Sequence, residues 1–258
     1  MNQQVIRWCA IGDSFTYLND HLDETLFRLK KGYLTRILDK LPDLPLELNN
    51  IGINGSTFQD WVSQPIPEAD VYTILLGTND WHQLYPLGSE KELKHRTEGT
   101  ILGNLGILLD HIRAVAPNAP IIGGNPVERA DFVYLLDPEN NAQGSYAPEQ
   151  SGEWLRDVSA AIRKAYAEEG VVPVDLWGRS GFMQDRLIRF KHVRTDAGYA
   201  DLPYPEYVGI PFDPLHDEHP YPPECAALTY DGLHPSDEGA DILAGLFAEA
   251  FRSVLANN

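Results

Sequence analysis

The sequence predicts an α/β fold in which a mainly parallel sheet is covered by helices on both faces. Three observations carry this. First, five short apolar runs bounded by turn residues read as strands: Val5 to Ile11, Leu44 to Ile53 with polar interruptions, Val71 to Leu76, Pro120 to Gly123 and Val171 to Leu176. Second, apolar residues recur at helical spacing in Leu34, Ile37, Leu38 and Leu41, and again in Ile101, Leu105, Leu108 and Ile112. The same spacing returns in Trp154, Val158, Ala161, Ile162 and Ala165, and in Leu243, Phe247, Ala250 and Val254. Third, strand and helix alternate, and the crossovers are long enough for right-handed βαβ units. Such a sheet binds ligands beyond the carboxyl ends of its strands, so the turns that follow the strands are where chemistry belongs.

The first strand runs into Gly12-Asp13-Ser14, which puts Ser14 at the carboxyl edge, in the position of a nucleophile. The second closes on Gly52-Ile53-Asn54-Gly55, where a glycine lets the backbone approach a ligand and present its N–H; Ser56 is expected to open a short helix through Trp61. The third closes on Gly77-Thr78-Asn79-Asp80, and the Asn79 amide can donate to a developing oxyanion. Trp81, His82 and Tyr85 follow directly and are expected to bind substrate, together with Asp13 beside the nucleophile. Asp231-Gly232-Leu233-His234-Pro235 comes just before the last helix, whose start is marked by Ser236, Asp237 and Glu238. Its spacing lets the Asp231 carboxylate fold back to the Nδ1 proton of His234 and leaves Nε2 as a base. Each motif alone is also what an ordinary turn looks like. Together, on one sheet edge, they supply nucleophile, base, base-orienter and oxyanion donors, which is what acyl transfer requires.

The four blocks, in this order from Ile11 to Pro235, resemble those of the SGNH hydrolases, also called GDSL lipases and esterases. The resemblance implies a flavodoxin-like three-layer α/β/α sandwich with about five strands. It implies Ser14 as nucleophile, His234 as general base, Asp231 as its orienter, and an oxyanion hole from the Ser14 and Gly55 N–H groups and the Asn79 side chain. Phe15 stands where the name-giving motif has Leu, which bears on packing beneath the nucleophile. No GxSxG elbow is present, so an ordinary α/β-hydrolase is not supported. The expected reaction is cleavage of a carboxylic ester through an acyl-serine, with no metal or organic cofactor. A short acyl group on a carbohydrate or small alcohol is favoured, and thioesterase or lysophospholipase/lipase chemistry is the alternative.

The 258 residues are read as one domain, with a proline- and tyrosine-rich insert at about 178–230. Seven prolines lie between Pro203 and Pro223, interleaved with Tyr204, Tyr207 and Tyr221, and the insert is expected to form a rigid wall of the substrate pocket. Pro126 to Pro148 reads as a loop rimming the sheet edge. Within the insert, the cluster Asp213, His216, Asp217, Glu218 and His219 could hold a divalent ion, but the spacing fits no zinc signature and an acidic, solvated loop is preferred. The metal reading would make the chain a metal-dependent hydrolase or a metal-stabilised binding module; a silent carbohydrate-binding protein is a third class. With 20 Lys and Arg against 38 Asp and Glu, the net charge of -18 disfavours nucleic acid and anionic membranes. Cys9 and Cys225 are too few for a disulfide framework, and neither a signal peptide nor a run long enough to span a membrane is read, so a cytoplasmic location is expected. Composition and pattern leave the oligomeric state open.

Overall fold

A computed structural model describes residues 4–255. Strand β1 (Ile6–Gly12) is apolar on both faces and lies inside the sheet. Trp8 and Ala10 point into one core while Cys9 and Ile11 point into the other, the two-residue alternation of a strand covered on both sides. The chain turns through α1 (Ser14–Tyr17), crosses by α2 (Tyr33–Lys40), and returns as β2 (Leu46–Asn50). It then passes back beside β1 as β3 (Val71–Leu75). Helices α3 (Thr78–His82), α4 (Glu90–His95) and α5 (Ile101–Val115) lead to β4 (Ile121–Gly124). An antiparallel hairpin of β5 (Phe132–Tyr134) and β6 (Asp137–Ala142) follows, then α6 (Leu155–Glu168) and β7 (Val172–Val174).

The sheet order is β2-β1-β3-β4-β7, with every pair parallel. All five expected strands are present. The polar interruptions of the second one have a plain cause: β2 is an edge strand, only half covered. After β7 the chain forms α7 (Leu176–Arg179), α8 (Gln184–Leu187) and a second hairpin of β8 (Phe190–Thr195) and β9 (Gly198–Pro203). It ends in α9 (Asp237–Leu255), capped by the Ser236 hydroxyl, which accepts from the Gly239 N–H at 3.3 Å.

Helices α2 and α9 pack Leu34, Ile37, Leu243 and Phe247 against Trp8 and Ala10. Leu105 and Leu108 of α5, with Val158 and Ile162 of α6, cover Cys9 and Ile11. The result is a three-layer α/β/α sandwich. Because β2 and β3 leave β1 in opposite directions, a crevice opens at the carboxyl end of β1, the place where such sheets bind ligands. Both cysteines are free and buried, and among the described residues no helix is long and apolar enough to cross a membrane.

Two segments depart from their sequence reading. Residues 126–148 contain the β5–β6 hairpin rather than loop alone. The helix expected from Ser56 to Trp61 is a single tight turn, Asp60–Val62.

The insert packs behind the 126–148 segment. Gln184 Nε2 donates to the Arg129 carbonyl at 2.9 Å, and the buried Lys191 ammonium lies 3.6 Å from Asp131 and 3.8 Å from Asp217 while also donating to the Ile210 carbonyl. Tyr207 and Tyr221 are core residues, Tyr207 donating to the Gln184 carbonyl. Removing one member of a buried ion cluster strands the others without compensation. Lys191→Met is therefore expected to destabilise the fold by about 3 kcal/mol or more, read as a fall in the denaturant midpoint. A change within about 0.5 kcal/mol would mean the insert is not anchored here.

Candidate active site

Ser14 is held at the end of β1 by a turn with no spare room. A Cβ on Gly12 would sit 2.0 Å from Thr16 Oγ1 and 2.8 Å from the Leu75 carbonyl oxygen, so only glycine lets the chain turn this tightly. Asp13 caps the new helix by accepting from the Phe15 N–H at 3.1 Å. Ser14 opens α1 and reaches the crevice.

On the other side, Asp231 and His234 form a compact buried pair. Asp231 Oδ1 accepts from the backbone N–H groups of Leu233 at 3.0 Å and His234 at 2.7 Å, and Oδ2 lies 2.7 Å from His234 Nδ1. The turn needs Gly232, whose φ is +93° and where a Cβ would fall 1.9 Å from the Asp131 carbonyl oxygen. Three donors thus converge on the Asp231 side chain, and the imidazole is oriented with Nδ1 towards it and Nε2 away. His234 Nε2 is buried and has no hydrogen-bond partner among the described residues. The ring is boxed by Phe132, edge-on at 5.4 Å, by Tyr230 at 5.9 Å and by Phe15 at 5.8 Å. The departure from the Leu of the name-giving motif thus places an aromatic ring against His234.

Two potential donors face the same crevice. Asn79 Nδ2 gives one hydrogen to the Ser56 carbonyl at 3.0 Å, which fixes the amide and leaves its second hydrogen for a ligand. Gly55 has φ +73° and nothing within 4 Å of where a Cβ would be, so the backbone is open to an approaching substrate. Gln83 Nε2 donates to the Gly55 carbonyl at 3.3 Å and sets that peptide's orientation. Ser14, Gly55, Asn79 and His234 line one cleft of about 560 Å³, counting its open mouth.

His82 also lines this cleft, and Trp81, Tyr85 and Asp13 do not. The reason is helical phase. In α3 and the residue after it, Asn79, His82 and Gln83 share a face at the i, i+3, i+4 spacing, which turns position i+2 inward. Trp81 is accordingly fully buried in the core, with Nε1 donating to the Glu153 carbonyl at 2.8 Å. Tyr85 packs partly buried on the same core, and the Asp13 carboxyl is turned back into its own cap.

The cleft residues that sequence reasoning did not assign to the site are Asn54, Gln83, Arg129, Phe132, Tyr134, Asn140 and Leu233. Four of them belong to the 126–148 segment, so that segment supplies the wall expected of the 178–230 insert, from which no lining residue comes. The one available signal was its position directly after a central strand. Asp213 and His216 pair with each other at 2.5 Å and Asp217 faces Lys191; among the described residues no three His, Cys, Asp or Glu side chains converge as a metal site would need.

A five-stranded parallel sheet with this cleft at its carboxyl edge defines a hydrolase fold of the kind that acts on esters once the following likeness is added. The model of the GDSL-like lipase/acylhydrolase family matches residues 10–242, and the chain belongs to that family. It is 41% identical to a "possible lipase" from Chitinophaga pinensis over 96% of this chain and 98% of that one, with a TM-score of 0.91. A Lactobacillus plantarum protein shares the fold at 20% identity, covering 97% and 99% of the two chains with a TM-score of 0.62. So does an acetyl xylan esterase, AlAXEase, at 18% identity over 95% and 99%, with a TM-score of 0.54. No curated protein sequence matches the chain.

Two further carboxyls lie under the site. Burial pushes the Asp13 carboxyl up to about 7 and the Asp80 carboxyl up to about 8. Asp80 Oδ1 accepts from the Phe58 N–H at 2.9 Å, whereas Oδ2 is buried without a partner among the described residues. The folded state thus retains a proton on Asp80 that the unfolded chain releases near 3.8, so this group's ionisation lowers stability as pH rises through about 8. Asp80→Asn preserves the acceptor for Phe58 and cannot ionise. Its Tm relative to wild type is expected to climb between pH 5 and pH 8 by roughly 5 °C, on the order of 2 kcal/mol. A difference that stays constant over that range would show that Asp80 is held as the carboxylate.

Proposed function

We propose that the protein is a serine esterase that removes short acyl groups from a carbohydrate or another small polar alcohol. One observation carries the reading: the Asp231–His234 pair at 2.7 Å, whose second ring nitrogen is unpartnered in the cleft that Ser14 lines. Ser14 Oγ attacks the ester carbonyl carbon as His234 Nε2 takes its proton. The oxyanion rests on the Ser14 and Gly55 N–H groups and the free hydrogen of Asn79 Nδ2. The imidazolium then protonates the departing alkoxide, and the alcohol leaves. Water attacks the acyl-serine, giving its proton to Nε2, and collapse releases the acid and returns that proton to Ser14 Oγ.

The cleft lining favours a polar alcohol and a short acyl chain. Asn54, Asn79, Gln83 and Asn140 bring amide groups, while Phe132 and Leu233 give only a small apolar face. Tyr134 adds a ring whose hydroxyl is already committed to Glu24 at 2.9 Å.

Ser14→Ala is expected to abolish hydrolysis of p-nitrophenyl acetate and labelling by a serine-reactive probe, with an unchanged melting curve. Asn79→Ala should lower kcat by about 10²- to 10³-fold if its amide stabilises the oxyanion. Turnover near wild type in Ser14→Ala would end the serine mechanism. An Asn79→Ala effect confined to KM would reduce that residue to substrate binding.

A further inference from the structure

The acyl-transfer chemistry leaves one charged group of the cleft unused. Arg129 lines the cleft with Ser14 and His234, yet its side chain is only 1% exposed. A desolvated guanidinium ordinarily has its five N–H groups satisfied, best by carboxylates. Arg96 in this same protein shows that pattern: it donates twice to Asp110, twice to Glu169 and once to the Leu93 carbonyl, at 2.7 to 3.0 Å. Arg129 is more deeply buried and has far less. Nη2 donates to the Gln143 carbonyl at 2.9 Å, and Nε is buried with no partner among the described residues.

The nearest carboxylate is held off. Glu149 lies 3.8 Å from Arg129 Nη2, beyond hydrogen-bond distance, because its Oε1 is engaged at 2.9 Å by His82 Nδ1. With its proton directed at Glu149, Nδ1 cannot also accept from Nη2, which stands 3.4 Å away. Asp131 is likewise occupied, by the Gly144 N–H at 2.9 Å, by the Tyr146 hydroxyl at 2.7 Å and by Lys191. Beneath the guanidinium, the Trp81 ring lies 4.8 Å from Cζ and holds the plane of the fork in place. Burial lowers Arg129 only to about 10, so the group stays cationic at neutral pH.

The charge distribution points the same way. In a chain with 38 acidic and 20 basic residues, the residues lining this cleft include Arg129 and two histidines and not one Asp or Glu. The cleft thus carries a guanidinium in its lining while its neighbouring carboxylates, Glu149 and Asp231, stand behind the lining rather than in it.

We propose that Arg129 is a specificity-determining residue that binds a carboxylate carried by the substrate, so that the preferred esters are anionic. This inference rests on the serine-esterase reading. A carboxylate fits because it is planar and presents two oxygens to the fork, supplying the partners that Glu149 and Asp131 withhold.

The test compares matched esters that differ by one charge: p-acetoxybenzoate against p-acetoxybenzamide for a carboxylate on the alcohol side, and monoethyl succinate against ethyl butyrate for one on the acyl side. Wild type should favour the charged member of at least one pair by about 10- to 100-fold in kcat/KM. Arg129→Gln should bring that ratio close to one, and Arg129→Lys, which keeps the charge but loses the fork, should restore part of it. No preference in either pair, or a preference that survives in Arg129→Gln, overturns the proposal. A measurement that needs no Arg129 variant guards against misfolding: benzoate, but not benzamide, should compete with the favoured ester on wild type, and equal inhibition by the two also overturns it. Calorimetric binding of benzoate to Ser14→Ala separates this inference from the one beneath it. Benzoate binding to Ser14→Ala that exceeds benzamide binding, together with a wild-type protein that turns over no ester, would sink the esterase reading and sustain the carboxylate site.

Discussion

Gly232 has no room for a side chain, and the rest of the site depends on that. Its closeness to the Asp131 carbonyl lets residues 231–234 lie flat against the segment carrying Phe132, joined by hydrogen bonds from the Ala130 N–H to the Gly232 carbonyl at 2.8 Å and from the Val133 N–H to the Asp231 carbonyl at 3.4 Å. Only then can the Asp231 carboxylate collect two backbone N–H groups and an imidazole while fully buried, where an unpaired charge would be costly. His234 is thus positioned by a loop that is itself docked on the cleft wall, and wall and imidazole form one unit. Behind that unit, Lys191 bridges Asp131 and Asp217. The insert is therefore coupled to the site through the back of the wall rather than through its lining.

Electrostatics divides the molecule in two. The surface is strongly acidic, and its arginines are mostly spent on carboxylates, as at Arg96 or where Arg252 meets Asp43 at 2.9 Å. Under the cleft the sign of the problem changes. Two aspartates, Asp13 and Asp80, are buried deeply enough to hold protons at or near neutral pH. Were both ionised, two negative charges would lie beneath the cleft and oppose both an incoming anion and the growth of negative charge on the carbonyl oxygen. The protons that burial keeps on Asp80 and in part on Asp13, and the absence of acidic lining residues, act together to limit negative charge around the cleft.

Much of this was legible in the sequence because two periodicities suffice for the layers. A run such as Val71–Leu75, apolar on both faces, can only be a covered strand, and Ile101, Leu105, Leu108 and Ile112 can only face one way on a helix. Ser14, Gly55, Asn79 and His234 were locatable because each follows a strand or precedes the last helix, where topology brings distant segments together. Trp81 was misplaced because adjacency in sequence is not adjacency on a helix, and one turn of α3 was enough to send it inward. Arg129 left no local trace. Its meaning comes from what its neighbours do with Glu149 and Asp131, and hydrogen-bond competition among residues tens of positions apart has no sequence period.

The tyrosines of the insert illustrate a more general constraint. Prolines and aromatics between a last strand and a catalytic loop suggest a surface made for a ligand, yet Tyr207 and Tyr221 are as buried as any core residue. Their burial gives the insert an apolar foundation: Phe212 and Tyr221 meet edge-on at 5.9 Å and share a small cluster with Val133, the residue after Phe132. A hairpin as polar as β6, whose sequence is Asp137-Pro138-Glu139-Asn140-Asn141-Ala142, could not hold its own position by hydrophobic packing. It borrows rigidity from the insert through Val133, Asp131 and Lys191, and this leaves Asn140 free to face the cleft. The cleft-facing side chains of the hairpin can then vary while Asp231 and His234, fixed by their own turn, keep their geometry.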